Sequence, residues 1–255
     1  MFHWDVVWQY LFTDPSLLFL NAAWTTLWIS IVAQTCGVII GLFLALMRMS
    51  RFPLLNRSAG AYIWFFRGSP LLVQVLLLWD GLPRLNSHLL LADWACVLVA
   101  FSLNEGAYMA EIIRAGITSV DAGQMEAAKS LGMRYPLAMR RIILPQAARV
   151  IIPPLGNEFN NMLKTTSIAS VIGLLELTGT AETYGSQTFI IFELLIVATV
   201  YYLALTTLWG FFQSRIEKRL DPNRNIKIEL NQRGLTERLL GFGGSRSGGT
   251  IVSGR

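Results

Sequence analysis

The stretch QMEAAKSLGMRYPLAMRRIILPQ, from Gln124 to Gln146, is basic and helix-prone, and it lies between two apolar segments. Its first part, MEAAKSL, consists mainly of strong helix formers. Gly123 precedes this part and Gly132 ends it, as a C′ glycine commonly does. A second predicted helix, YPLAMRRIIL, has Pro136 in its first turn and stops before the prolines of LPQ and IPPL. The pattern fits either a knob that docks into a partner's groove or an amphipathic helix on a membrane surface.

The composition of the chain indicates a membrane protein. Its 255 residues are 53% hydrophobic and 15% charged, with a mean hydropathy of +0.49, whereas soluble domains carry about 25% charged residues. The two cysteines, Cys36 and Cys96, lie in apolar runs, which excludes a disulfide framework or a CxxC metal site. The net charge of +5 is not gathered into one basic stripe, so nucleic-acid binding is not indicated.

Five segments approach the roughly 20 apolar residues that a spanning helix needs. They cover about 17–46, 59–79, 92–113, 150–175 and 189–213, within a membrane domain of 17–220. Lys and Arg are absent before the first span, number six in the loop 114–149 and nine after the last span. The positive-inside rule therefore places residues 1–16 outside, and the loop 114–149 and the tail 221–255 in the cytoplasm. The Gly/Ser-rich end of the tail is expected to be disordered, and the N-terminus lacks the basic start of a cleaved signal peptide.

A fixed spacing in the opening stretch resembles the EAA loop of permeases from ATP-binding-cassette importers. Seven positions carry the pattern: Glu126, Ala127, Ala128, Gly132, Ile142, Leu144 and Pro145. The segments RGSPLLVQ (67–74), AYMAEIIRAGITSVDAGQ (107–124), LPQAARVIIPPLGNEF (144–159) and KTTSIASVIGLLEL (164–177) are similar to the polar amino-acid uptake subfamily. The likeness extends from about residue 25 to residue 219.

This resemblance implies an all-α membrane protein with the five-helix core of the type I importer fold, in a bacterial cytoplasmic (inner) membrane. It implies a coupling helix that docks on ATP-binding-cassette ATPase subunits, a second permease copy or homologue, and an extracytoplasmic solute-binding protein. The coupling residues would be Gly123, Glu126, Ala127, Ala128, Lys129, Leu131, Gly132 and Arg134.

The energy source is expected on another subunit. The chain has no G-x-x-x-x-G-K-[ST] motif and no Gly-Lys dipeptide, so it has no P-loop. ATP and Mg²⁺ are therefore assigned to the ATPase partner. No cofactor, metal site or catalytic residue is expected on this chain.

Polar residues inside the spans point to a transport path, because they are costly in lipid. Asn157, Asn160, Asn161 and Lys164 recur at steps of three and four residues, and Glu158, Asn161 and Thr165 form an adjacent strip. The predicted path comprises Gln74, Trp79, Asp80, Ser102, Asn104, Glu105, Tyr108, Asn157, Glu158, Asn161, Lys164 and Thr165.

A zwitterionic amino acid needs an acceptor for its ammonium group and donors for its carboxylate. Asp80, Asn104 or Glu105 could accept, and Gln74 or Lys164 could donate. Asp80 and Glu105 favour a cationic amino acid or an opine. The structural alternative is that Glu105, Glu158 and Lys164 pair among themselves or across a permease dimer.

The second span is expected to break or bend directly after Arg67. Arg67 precedes Gly68 and Pro70, which break or bend a helix. Arg67 could serve as a gate or dimer contact, or as an interfacial anchor that snorkels to the membrane surface.

Two other functions are compatible with a polytopic chain. A stand-alone ion-coupled transporter predicts inverted repeats and more spans, and neither is found in this sequence. An intramembrane enzyme is disfavoured because the only histidines are His3 and His88, and neither an H-E-x-x-H nor a G-x-S-x-G motif occurs.

Overall fold

The structure, a computed structural model, describes residues 3–13 and 17–220, and these residues form helices without any β-strand. The tail 221–255 lies outside the described residues, as do residues 1–2 and 14–16 of the predicted N-terminal segment. The chain divides into two compact units, 1–214 and 215–255, and only the last turns of the final helix are described in the second unit.

Eleven α-helices are described in these ranges, and short 3₁₀ or π segments join some of them. The helices are α1 (Trp4–Phe12), α2 (Leu18–Arg48), α3 (Pro53–Gly68), α4 (Leu71–Leu76), α5 (Leu82–Leu85), α6 (Asp93–Thr118), α7 (Ala122–Ser130), α8 (Tyr135–Ala138), α9 (Leu144–Thr165), α10 (Leu177–Thr188) and α11 (Ile191–Leu220). A π-helical turn, Leu77–Gly81, links α4 to α5, and a 3₁₀ segment, Thr166–Ile172, extends α9.

Three of these helices, α2, α6 and α11, are long and apolar enough to cross a membrane. The pair formed by α3 and residues 71–85 meets the same criterion as one span bent by 102°. These helices overlap the predicted spans 17–46, 92–113, 189–213 and 59–79. Helix α9, which carries the predicted fourth span, does not meet this criterion because polar residues interrupt its apolar surface.

Helices α2 and α6 run parallel and form the closest helix pair of the bundle. A Cβ on Gly41 would lie only 2.4 Å from Met109 Cβ, and one on Gly37 would lie 2.7 Å from Glu105 Cβ. Small residues four apart let two membrane helices approach this closely. Glu105 is thereby fixed in the middle of the bundle.

Between α6 and α9, the helix boundaries differ from the predicted ones. Helix α7 begins at Ala122, so Gly123 lies inside its first turn, and Asp121 caps the helix by accepting from Gly123 N–H at 2.6 Å. At its other end Gly132 has a φ of +77°. Gly132 N–H donates to Lys129 O at 2.9 Å and Met133 N–H to Ala128 O at 3.0 Å, which is a Schellman motif.

The expectation that the second helix stops before its prolines is wrong. Helix α8 passes through a π-helical turn, Met139–Ile143, directly into α9, and Pro153 and Pro154 lie inside α9. The π turn comes just before Pro145, so this proline falls in the first turn of α9, where its missing N–H costs little. Gln213 Nε2 donates to Pro153 O at 3.3 Å, so α11 contacts the backbone of α9 at its proline pair.

The two ends of the bundle are formed by different elements. Helices α1 and α10, which were not predicted, pack with the start of α11 near the beginning of α2. At the other end of α2, Met125 of α7 packs against a cluster that contains Ala45 of α2 and Ile117 of α6. Therefore α1 and α7 lie at opposite ends of α2.

Candidate functional site

A polar cavity of about 640 Å³ lies between α4, α6, α9 and the 3₁₀ segment that follows α9. Its lining residues are Leu71, Asn104, Glu105, Tyr108, Glu158, Asn161, Met162, Lys164, Thr165, Ser167 and Ile168. This volume lies in the range of small-molecule sites. Seven of the predicted path residues meet here: Asn104, Glu105, Tyr108, Glu158, Asn161, Lys164 and Thr165.

Among the described residues, no ion pair neutralises the charges of this cavity. Glu105 is 6% exposed, and its Oε1 atom has no hydrogen-bond partner in the described part of the chain. The Glu158 carboxylate lies close enough to repel it. The ion pairs found between described residues involve other side chains and leave out Lys164. The predicted structural tie among Glu105, Glu158 and Lys164 is therefore not formed inside this chain.

Five other predicted path residues, among them Gln74, do not line the cavity. Trp79 Nε1 donates to Asp93 Oδ1 at 2.8 Å, and Asp80 forms an ion pair with Arg84 at 2.9 Å. Ser102 lies in an apolar groove between α2 and α6. Asn157 Oδ1 accepts from Gln213 Nε2 at 2.9 Å. The polar face of α9 is thus divided, and the strip of Glu158, Asn161 and Thr165 is the part that faces the cavity.

Gln74 and Asn104 hold the bend of the second span. Pro70 has no N–H, so Phe66 O lacks the donor that an α-helix would supply from four residues ahead. Gln74 Nε2 donates to Phe66 O at 3.0 Å, and Asn104 Nδ2 donates to the same oxygen at 2.8 Å. Asn104 Nδ2 also lies 3.2 Å from Gln74 Oε1. These two side chains replace the missing backbone bond and place Leu71 at the cavity wall.

This clamp predicts a specific pattern of stability losses. Gln74→Leu and Asn104→Leu should each lower the thermal stability of the purified protein in detergent, and the double variant should lose more than the sum. The reason is that either amide can satisfy Phe66 O alone, while leaving a buried carbonyl unpaired costs about 1–3 kcal/mol. Gln187→Leu, at an exposed position of α10, is the matched control. Additive losses would show that the amides do not share this role.

Arg67 lies at the end of α3, with its guanidinium carbon 5.2 Å from the centre of the Tyr108 ring. Such stacking is a cation–π contact. Since Tyr108 lines the cavity, Arg67 connects the bent span to the cavity wall. Helix α3 ends at Gly68, and Pro70 precedes α4, so the predicted gate or break residues Arg67, Gly68 and Pro70 all lie at the bend.

Helix α7 presents one face to solvent at the far end of the bundle. Met125 is half-buried and Ala128 is buried, so these two residues attach the helix to the rest of the chain. The other predicted coupling residues are exposed: Gly123, Glu126, Ala127, Lys129, Leu131, Gly132 and Arg134. The Leu131 side chain is 81% exposed although it is large and apolar.

Sequence reasoning missed several residues around these sites. Asp121 and Gln124 form the D-x-x-Q spacing of a capping box, and this signal would have placed the start of α7 correctly. Buried Gln34 on α2 lies beside Glu105, and Ser167 lines the cavity. Glu176 caps α10 by accepting from Gly179 N–H at 2.7 Å. Glutamate is an unusual N-cap, so its role left no clear sequence signal.

The fold and the cavity together define a class: a polytopic helical membrane protein with a polar cavity among its spans and a short exposed helix at one end. A family described as "Binding-protein-dependent transport system inner membrane component" matches residues 37–222, more than half of the chain. This chain belongs to that family. It is a multi-pass transport component, and in such systems the ATPase is a separate subunit.

Named relatives agree with this membership. The chain is 39% identical to the arginine transport system permease protein ArgU of Corynebacterium glutamicum over 90% of this chain and 75% of ArgU. It is 42% identical to the octopine transport system permease protein OccM of Rhizobium meliloti over 77% of this chain and 83% of OccM. It is 39% identical to the probable glutamine permease GlnM of Bacillus subtilis, over 82% and 96%.

Solved structures share the fold. A crystal structure of an amino acid ABC transporter with histidines matches with a TM-score of 0.76 and 42% identity, covering 81% of this chain and 96% of that chain. The inward-facing MetNI methionine ABC transporter matches with a TM-score of 0.66 at 16% identity, over 82% and 98%, which establishes the fold alone. The stand-alone transporter and the intramembrane enzyme are thereby set aside.

Proposed function

We propose that this chain is the permease subunit of an ATP-driven importer for polar amino acids with a preference for cationic ones, in a bacterial cytoplasmic membrane. The observation that carries this proposal is the cavity that Glu105, Glu158 and Lys164 line together. One carboxylate would bind the α-ammonium group and the other a cationic side chain. Lys164 would bind the α-carboxylate. Relatives include permeases named for the transport of arginine and octopine, which supports a cationic substrate.

The membrane topology proposed here has five passes. The bent pair α3–α5 and the α9 segment with its 3₁₀ extension would each count as one pass, in addition to α2, α6 and α11. The distribution of Lys and Arg supports an N-terminus outside and a C-terminus inside. With that orientation, α7 lies on the cytoplasmic side.

Helix α7 is proposed as the coupling helix. Its exposed face would dock on an ATPase subunit, with Leu131 as an apolar anchor and Glu126, Lys129 and Arg134 as charged contacts. ATP and Mg²⁺ would bind only to that partner. A second permease copy or homologue would complete the transport path, and a solute-binding protein would deliver substrate from outside. Movement of α7 would then rock the spans around the cavity between inward-open and outward-open states.

Arg67 is proposed as part of the inner gate. Its stacking on Tyr108 links the bend of the second span to the cavity. When the spans rock, this contact would open or close the cytoplasmic side of the path. A role as a simple interfacial anchor would leave transport unchanged in Arg67→Lys.

Competition for uptake tests the proposed function. The complete importer, with its ATPase and solute-binding protein, would be reconstituted in proteoliposomes and given labelled arginine. We expect ATP-dependent accumulation that lysine, histidine and octopine reduce more strongly than glutamine does. Uptake without ATP would contradict the importer mechanism. ATP-dependent uptake that no cationic competitor reduces would contradict only the proposed substrate class.

A further inference from the structure

Helix α1 has three different surfaces. Each residue advances the helix by 100°, so Trp4, Trp8 and Phe12 share one edge, and Asp5, Gln9 and Thr13 share the next. The aromatic edge is exposed, with Trp8 57% and Phe12 77% accessible, and the polar edge is exposed as well. The remaining edge faces the protein.

The inward edge fixes the helix to the bundle. Val7 is 3% exposed and packs in a core cluster with Phe19 and Leu194, and Val6, Tyr10 and Leu11 pack against the same cluster. His3 N–H donates to Glu193 Oε1 at 3.0 Å, which ties the start of α1 to the start of α11. The aromatic edge therefore has a fixed direction and does not turn inward.

Other exposed apolar residues surround this end of the bundle. Phe189, just before α11, is 95% exposed and adopts a left-handed conformation with φ 59°. Leu17, just before α2, is 56% exposed with φ 52°. Trp24 is 64% exposed on the first turns of α2. A left-handed backbone is unfavourable for residues with side chains, so the chain bears some strain at Leu17 and Phe189, whose apolar side chains are exposed.

We propose that α1 lies along the membrane–water interface, with Trp8 and Phe12 inserted between lipid headgroups and acyl chains. A helix with one edge on protein, one aromatic edge and one polar edge fits the line where protein, lipid and water meet. Tryptophan is enriched at this depth of a bilayer, and amphipathic helices with Trp and Phe on the apolar face lie in the interface plane. This inference requires only the membrane location and not the proposed substrate.

The attachment is predicted not to depend on lipid charge. The first 47 residues contain no Lys or Arg, so no cation of α1 can bind an anionic headgroup. Burial of aromatic surface supplies the attachment instead. We therefore expect the same insertion in vesicles of phosphatidylcholine alone and in vesicles that also contain phosphatidylglycerol.

Spin-label accessibility tests the placement in the intact permease–ATPase complex, reconstituted without a solute-binding protein. Labels would be attached to Phe12→Cys and, as a matched control on the polar edge of the same helix, to Gln9→Cys. The background would carry Cys36→Ser and Cys96→Ser. We expect position 12 to collide mainly with oxygen, which concentrates in lipid, and position 9 mainly with a water-soluble nickel complex.

Two results would overturn the proposal. Nickel access at position 12 equal to that at position 9 would place the aromatic edge in water. Protection of position 12 from both reagents would mean that protein covers it. Because a label replaces Phe12, a second measurement keeps the aromatic edge intact: bromine-labelled lipids should quench less of the total tryptophan fluorescence in Trp8→Tyr than in the unaltered chain. Equal quenching would count against insertion of Trp8.

Discussion

Replacing Gly132 with valine should reduce ATP-driven uptake by about tenfold or more while the amount of permease in the membrane stays unchanged. Gly132 ends α7 with a φ of +77°, and a Cβ placed there would meet nothing within 4 Å. The cost is therefore conformational, about 1–2 kcal/mol for a left-handed residue with a side chain. Since about 1.4 kcal/mol is a factor of ten in rate, a misdirected α7 should transmit the ATPase movement poorly. ATP hydrolysis should continue with less substrate carried per ATP.

An asparagine at the same position is the matched control. Asparagine tolerates the left-handed conformation. Gly132→Asn should therefore retain most of the uptake, although it too adds a side chain at this position. The measurement is the ratio of substrate transported to ATP hydrolysed in proteoliposomes. Equal losses for valine and asparagine would show that bulk at this site matters rather than backbone conformation. Loss of the protein from the membrane would indicate a role in folding.

Replacing Glu105 with glutamine should weaken the uptake of cationic amino acids by about tenfold to a hundredfold. The substitution keeps the shape of a side chain that is 6% exposed and removes its charge. A hydrogen bond to a charged group contributes about 1.5–3 kcal/mol, and each 1.4 kcal/mol is a factor of ten. Uptake of glutamine should change much less. The measurement is the ratio of arginine to glutamine uptake by the complete importer.

Glu182→Gln is the control for this prediction, because Glu182 is exposed on α10 and is not among the residues that line the cavity. It should leave the arginine-to-glutamine ratio unchanged. An equal loss of both substrates in Glu105→Gln, with lower thermal stability, would instead support the structural role. Glu105 packs tightly against Gly37, so its substitution could affect folding as well as substrate binding, and stability must be measured together with uptake.

The helical class and the polar strip of α9 could be predicted from sequence because both depend on local spacing. Glu158, Asn161 and Thr165 recur at helical intervals, and the structure places them on one wall of the cavity. Their partners on α6 could be named only as polar residues at membrane depth. The meeting of Glu105 with Glu158 depends on how α6 packs against α9, and no local pattern contains that information.

The roles of Gln74 and Asn104 show a second limit of prediction from sequence. Both residues were predicted as substrate contacts because they are polar residues inside spans. Their hydrogen bonds to Phe66 O follow from Pro70, which lies in the same predicted span as Phe66 and Gln74, whereas Asn104 lies in the next span. The need for a replacement donor was readable from the sequence, but the residue that would supply it was not. A polar residue in a membrane helix can serve the backbone as readily as a ligand.

The prediction that prolines end the helices of this segment was too strict. Pro145, Pro153 and Pro154 were taken to end a helix, as they commonly do in soluble proteins. Here a π-helical turn precedes Pro145, and α9 continues through Pro153 and Pro154 to Thr165. Helix α1 was missed for a different reason: nine residues are too few for a span, and aromatic residues are only average helix formers.

The most direct test of the account asks whether the exposed face of α7 lies on the cytoplasmic side and is covered by an ATPase. Ala127→Cys, in a background that carries Cys36→Ser and Cys96→Ser, would be treated with a membrane-impermeant maleimide in right-side-out and inside-out vesicles. The account predicts labelling only in inside-out vesicles and protection when the ATPase subunit is bound. Labelling in right-side-out vesicles, or equal labelling with and without the ATPase, would contradict it.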